Sequence, residues 1–412
     1  MSNNSIVIIG AGQAGYQVAA SLRQEGHIGS ITLIGDEPGV PYQRPPLSKA
    51  YLLGKVAVEA LRFRPPTYFD DNQITRIQSS ATAIDRKNHE VVLSNGQRLP
   101  YEHLVLATGA RNRVPTVPGI EFNGVFGLRC LADADGLSQC LSSAKRAVVI
   151  GAGFIGLEFA AVAAARGIKV DVLELGTRPM ARAVSTVMSK VFDQAHASWG
   201  VQIHYGQSLA EIHGINGQVS SVQLASGEIV PTDLVVYGIG VIPNAELANE
   251  AGLSVNNGIV VDALLLTSDP AISAIGDVVN FPCPWATQSI RLESVQNAVD
   301  QAKSVAARLM GKPANYAGLP WFWTDQGELK LQIAGLSDGH DEIVILGKLE
   351  QRQISVLCFR AGRLVAVESC NKPVDHMAAR KLIARNTSLS AAEASVEGFD
   401  LKAYEAATRD IV

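Results

Sequence analysis

The sequence predicts an α/β protein with two dinucleotide-binding units of Rossmann type and a C-terminal α+β region carrying an antiparallel sheet. Three observations carry this reading. An apolar, β-branched run, Ile6 to Ile9, feeds into Gly10-x-Gly12-x-x-Gly15 and then an apolar-striped helix from Tyr16 to Leu22. The same unit recurs at Arg146 to Ile150, Gly151-x-Gly153-x-x-Gly156 and Glu158. From Gly318 the character turns aromatic and β-type. In each glycine turn the first glycine permits the tight bend, the second admits a pyrophosphate to the backbone, and the third lets helix and strand pack closely. One such turn is weak evidence for a ligand, but two complete units in one chain are a strong signal.

With 412 residues, two or three domains are expected. Few aromatics beside abundant Ala, Gly, Val and Ile suit sheets covered on both faces. A formal charge of −4 with no long basic block gives no electrostatic case for nucleic acid. Cys130, Cys140, Cys283, Cys358 and Cys370 are scattered, with neither C-x-x-C nor metal-type spacing, so no metal is expected and a reducing compartment fits. Met1 to Ser5 lacks the basic and apolar regions of a signal peptide, and a cytoplasmic protein is expected. Ala147 to Ala165 carries only Glu158 as a charge and approaches the ~20 residues of a membrane helix. Its three glycines instead divide it into strand, turn and alanine-packed helix, so no membrane partner is expected.

Along the chain, Ile31 to Ile34 reads as a buried strand ending at Gly35, Asp36 and Glu37. An acid at this point bonds the adenosine ribose, with Asp36 preferred and Glu37 the near alternative. Pro41 to Lys49 contains three prolines, so no regular strand or helix is expected, only a stiff loop presenting Arg44 and Lys49. Asn95-Gly96 marks a hairpin, and Leu104 to Gly109 is a buried strand whose small end, Thr108-Gly109, admits a ligand. After the second glycine turn, Ile168 to Leu173 is a strand with Glu174 at its end, where a carboxylate accepts from a free 2′-hydroxyl and repels a 2′-phosphate. Arg178 and Arg182 weaken that preference for NAD: they are either phosphate contacts or exposed loop charges. Leu234 to Gly240 and the short strand before Gly276-Asp277 each end where open α/β sheets bind ligands. A helix is expected from Glu293 to Met310. Strands are expected in Pro320 to Thr324, Leu329 to Ala334, Glu342 to Leu349 and Ile354 to Ser369, closed by a helix from Val374 to Asn386.

Taken in order, the two glycine motifs, Arg44-Pro-Pro-Leu-Ser-Lys49, Ala107-Thr-Gly109, Gly156-Leu-Glu158, Thr267-Ser-Asp-Pro270, Gly276-Asp277, Glu293-Ser-Val-Gln-Asn297 and Pro320-Trp-Phe-Trp323 resemble one family. It is the NADH-dependent ferredoxin reductases of bacterial oxygenase systems, flavoproteins of glutathione-reductase-like architecture. The resemblance implies a discontinuous FAD domain (1–110 and 238–316), an inserted NAD domain (111–237) and a C-terminal domain (317–412). It implies FAD contacts at Gly10, Gly12, Ala14, Gly15, Asp36, Arg44, Lys49, Thr108, Gly109, Arg129, Gly276, Asp277, Val295 and Trp323. It implies NAD contacts at Gly151, Gly153, Ile155, Gly156, Glu174, Arg182 and Gly240. Lys49 and Glu158 are the catalytic pair it places beside the flavin.

The activity implied is electron transfer from NADH through FAD to a two-iron, two-sulfur ferredoxin serving a haem-thiolate monooxygenase or ring-hydroxylating dioxygenase. Rubredoxin or nitrite-reductase-type flavoproteins, and the NADH-sensing apoptosis-inducing-factor group, share much of the pattern. Disulfide reductases need a redox cysteine pair soon after the first unit, and the first cysteine here is Cys130. An acidic ferredoxin face would meet basic residues, for which Arg62, Arg64, Arg291 and Lys330 are the candidates.

Overall fold

A computed structural model describes residues 5–409, which divide into two compact units. Unit 1 comprises residues 5–43, Val58–Arg111 and Ile242–Pro320, and unit 2 comprises Arg44–Ala57, Asn112–Val241 and residues 321–409.

In unit 1, five parallel strands lie in the order Ile272–Ala274, His103–Leu106, Ile6–Ile9, Ile31–Gly35, Ile74–Gln78. All four residues of the central strand are buried, as expected of a strand covered on both faces. The first glycine turn leads from its carboxyl end into helix Gln13–Gln24, which buries Ala14, Gly15, Tyr16, Val18, Ala19 and Leu22. Helix Val295–Leu309 starts at Ser294, whose hydroxyl accepts from Asn297 N, and lies within the expected Glu293–Met310 span. The hairpin at Asn95-Gly96 joins Glu90–Leu93 to Arg98–Pro100.

Unit 2 holds a second five-stranded parallel sheet, ordered Val201–Tyr205, Lys169–Glu174, Arg146–Ile150, Leu234–Tyr237, Val125–Gly127. The second glycine turn again follows the central strand and opens helix Phe154–Ala165, buried without interruption from Gly156 to Ala163. An antiparallel meander, Leu209–Ile215, Gln218–Leu224 and Ile229–Pro231, packs a small core of Ile212, Val219, Val222 and Leu224 under Val148 and Val235. The C-terminal antiparallel sheet runs Trp321–Gln326, Leu329–Gly335, Arg363–Cys370, Gln353–Arg360, Glu342–Lys348, with helix Pro373–Ala384 beside it.

Two local expectations are corrected. Pro45–Ser48 forms a short 3-10 helix, because proline's fixed φ suits a first helical turn and its missing N–H is not needed there. The run Ile354 to Ser369 is two strands folded at Ala361-Gly362, both at positive φ. No helix among the described residues is long and apolar enough to cross a membrane.

Candidate cofactor and active site

In unit 1 the glycine turn is packed so tightly that only glycine fits. A Cβ on Gly10, whose φ is +108°, would lie 2.1 Å from Ala107 O, and one on Gly15 would lie 1.8 Å from Gly10 O. Gly12 is the exception, since a Cβ there meets nothing within 4 Å. It is the N-cap of Gln13–Gln24, and no side chain caps that end. An uncapped helix start beside open space suits a pyrophosphate.

Thr108 and Gly276 of unit 1 lie against this turn. Gly10 abuts Ala107 and Thr108. Thr108 Oγ1 donates to Asn244 O at 2.7 Å, while Asn244 donates its side-chain amide to Thr108 O and its backbone N–H to Gly109 O, both at 2.9 Å. Asn244 thus clamps the Thr108-Gly109 bend; nothing in the local sequence pattern distinguished it. A Cβ on Gly276, at φ +82°, would lie 3.0 Å from Ala14 Cβ, so the distant Gly276-Asp277 segment meets the first turn. Gln301 holds it there by accepting from Gly276 N at 2.7 Å. Val295 opens the neighbouring helix, half-buried. Asp36 is exposed and makes no side-chain hydrogen bond or ion pair among the described residues, whereas Glu37 accepts from the Tyr42 hydroxyl.

Unit 2 repeats the construction. A Cβ on Gly156 would lie 2.2 Å from Gly151 O and one on Gly151 2.7 Å from Gly238 O, while Gly153 meets only Gly238 O at 3.7 Å. Gly153 caps Phe154–Ala165 without a side-chain bond. Glu174 accepts from Ala152 N at 2.7 Å and from Gly176 N at 2.6 Å, which puts its carboxylate at the turn. Ile155 lies beside Gly238. Arg182 is exposed, and its Nη2 lies 3.8 Å from where a Cβ on Gly240 would sit. Arg178 is spent on structure, donating to Val184 O (2.8 Å), Ala181 O (2.8 Å) and Ser189 Oγ (2.6 Å). That resolves the choice between a phosphate contact and a loop charge against the former.

Arg44 to Lys49 of the stiff loop belong to unit 2. Arg44 donates to Arg129 O at 2.7 Å. Lys49 Nζ lies 2.9 Å from Glu158 Oε1, with their side chains 17% and 6% exposed. Glu158 also accepts from Thr324 Oγ1 at 2.6 Å and Ser48 Oγ at 2.5 Å. An exposed helix carboxylate would have none of these partners; this one is a buried anion held by three donors. Trp323 is half-buried, its ring 5.6 Å from Trp321. Of the expected docking cations, Arg62, Arg64 and Lys330 are exposed. Arg291 is 9% exposed at its side chain and engaged by Glu293 (2.7 Å) and Asp277 O (3.1 Å), which removes it from that role. Among the described residues no His, Cys, Asp and Glu cluster suits a metal ion.

Two uncapped glycine cradles on parallel sheets, followed by an antiparallel C-terminal sheet, define an oxidoreductase that binds two dinucleotides. The chain belongs to the pyridine nucleotide-disulphide oxidoreductase family, whose model matches residues 4–302, and carries that class's "Reductase C-terminal" domain at 321–405. The family uses FAD and NAD(P). Rhodocoxin reductase of Rhodococcus erythropolis is 50% identical over 98% of this chain and 95% of its own length. Putidaredoxin reductase CamA of Pseudomonas putida is 40% identical over 93% and 92%. The crystal structure of the ferredoxin reductase for the CYP199A2 system of Rhodopseudomonas palustris superposes with a TM-score of 0.96 at 48% identity, covering 98% of this chain and all of that one.

Proposed function

We propose that this enzyme passes electrons from NADH through FAD to a small two-iron, two-sulfur ferredoxin that serves an oxygenase. The observation that carries the reading is the pair of open glycine cradles, joined with full-length likeness to relatives named as redoxin reductases. In unit 1 we assign Gly10, Gly12, Ala14, Gly15, Asp36, Thr108, Gly109, Gly276, Asp277 and Val295 to FAD. Arg44, Lys49, Arg129 and Trp323 are proposed as further FAD contacts, and Gly151, Gly153, Ile155, Gly156, Glu174, Arg182 and Gly240 are assigned to NADH. We also propose a division into 1–110 with 238–316 for FAD, 111–237 for NADH, and a C-terminal domain at 317–412.

When bound, the two cofactors supply the hydride and electron chemistry. The residues bind and orient. Helix N-termini at Gly12 and Gly153 face the diphosphates. Glu174 accepts from the ribose hydroxyls and disfavours a 2′-phosphate. Lys49 holds a positive charge where negative charge develops, and Glu158 compensates it otherwise. Arg62, Arg64 and Lys330 are proposed to meet an acidic partner. A cytoplasmic location is supported by five cysteines free of disulfides.

The test is cytochrome c reduction by NADH with and without a purified two-iron, two-sulfur ferredoxin, with rubredoxin as competing acceptor. Ferredoxin should raise the rate and rubredoxin should not. A rate that ferredoxin leaves unchanged refutes the proposal.

A further inference from the structure

Strand Trp321–Gln326 has two faces, and the one carrying Phe322, Thr324 and Gln326 packs on the second glycine-turn helix. Phe322 meets the Phe154 ring at 5.3 Å, and Thr324 meets Glu158, one helical turn further on. Gln326 continues the line. Its Nε2 donates to Thr324 Oγ1 at 3.3 Å and approaches Met180 Sδ at 3.6 Å, and its Oε1 lies 2.8 Å from His196 Nε2. Thr324, Gln326 and His196 are all fully buried.

The direction of every proton in this line is fixed by the partners. Gln326 Oε1 has no proton, so His196 Nε2 donates. His196 Nδ1 is buried without a partner, so it is left unprotonated and the ring neutral. Gln326 then donates to Thr324, and Thr324 spends its one proton on Glu158. Three hydrogen bonds thus point the same way, from helix Thr186–Ser198 to the carboxylate that holds Lys49. Bonds aligned in this way polarise one another, and none can be removed without leaving a buried group unpaired. Met180 extends the link, since its N–H donates to Ala152 O at 2.9 Å inside the glycine turn itself.

We propose that Thr324 and Gln326 are positioning residues that fix the Glu158 carboxylate on Lys49 and tie this pair to the nicotinamide-cofactor turn. The inference rests on the functional reading above, in which Lys49 and Glu158 serve the flavin. A residue needed only for volume at position 324 would be served equally by valine.

The experiment compares Thr324→Val, Thr324→Ser and Gln326→Leu with the parent as flavin-loaded proteins, measuring the flavin midpoint potential against a reference dye. In Thr324→Val the carboxylate loses a donor and loosens from Lys49, whose less compensated charge favours the reduced flavin. The reduced-to-oxidised ratio at fixed potential should rise roughly threefold to tenfold, or about 15–30 mV for a two-electron couple. Thr324→Ser should match the parent, and Gln326→Leu should shift the same way by less. An unmoved potential in Thr324→Val, or an equal shift in Thr324→Ser, overturns the proposal. Should Thr324→Val not fold, Gln326→Leu at the parent potential overturns it instead. A parent protein whose flavin NADH does not bleach refutes the functional reading, and the flavin role of the pair with it. Normal bleaching beside unmoved potentials refutes the positioning role alone.

Discussion

Replacing Glu158 by leucine would remove the shared acceptor of Lys49, Thr324 and Ser48 while keeping roughly the same volume in helix Phe154–Ala165. Lys49 Nζ would retain Pro45 O, at 3.3 Å, Ser48 Oγ would fall back on the same carbonyl at 3.5 Å, and the buried Thr324 hydroxyl would lose its acceptor. Breaking one side of a buried ion pair costs about 3–5 kcal/mol. The separate groups give a cost of the same order, since each buried donor left unpaired costs about 1–3 kcal/mol. Urea unfolding read by tryptophan fluorescence suits the measurement, because Trp199, Trp321 and Trp323 lie in unit 2. Glu158→Leu should lower the midpoint with little change in slope. Lys49→Met combined with Glu158→Leu should be no worse than Glu158→Leu alone, since no buried charge remains to be compensated. A loss below about 1 kcal/mol for Glu158→Leu, or a double variant whose cost is the sum of the two singles, would show that the two charges are not coupled.

Gly15→Ala would press a methyl against Gly10 O, 1.8 Å away, and should yield protein with most of its flavin missing. An unchanged flavin-to-protein ratio would disprove the need for that close approach. Glu174→Ala should raise the KM for NADH more than that for NADPH if, as proposed, the carboxylate accepts from the ribose hydroxyls. Equal loss for both would reduce Glu174 to a brace for Ala152 and Gly176. His376 is buried in helix Pro373–Ala384, and burial, followed by the nearby Arg380 charge, pushes its pKa down from 6.5 to about 4. The unfolded chain therefore takes the proton first as pH falls, so this part of the stability is present above about 6.5 and is lost towards about 4. The stability of His376→Phe should fall less steeply than the parent's between those values, and parallel slopes would refute the assignment.

What was legible in the sequence followed from backbone necessity. Glycines at fixed spacing after β-branched runs announced both turns, and the Cβ distances at Gly10, Gly15, Gly151 and Gly156 give the steric reason. The position of Glu174 was legible for the same reason, since its strand ends beside the second turn, where it accepts from Ala152 N. Other features had no periodic signature. The meander from Leu209 to Pro231 contains Ser, Gln, Gly and His at nine of its 23 positions, so its alternation is blurred. Asn244 looks like any loop asparagine until Thr108, 136 residues away in the chain, is seen across from it. Arg178 resembled a phosphate contact because the carbonyls of Ala181 and Val184 that occupy it belong to a loop whose course only the fold defines.

Strand Trp321–Gln326 shows where the boundary falls. Its aromatic residues marked it as a strand and drew attention to Trp323, on the face shared with Trp321. The opposite face looked unremarkable, a threonine and a glutamine that a half-buried strand would place towards solvent. Both are fully buried instead, and in so apolar a helix face each needs a specific partner. The partners are Glu158, His196 and each other. Burial of two ordinary polar residues is thus explained by a single carboxylate that the sequence had singled out for chemistry, because an ionised group in the interior requires donors and those donors must themselves be satisfied. The C-terminal sheet therefore contributes to the Lys49–Glu158 pair itself, which would be one donor short without Thr324.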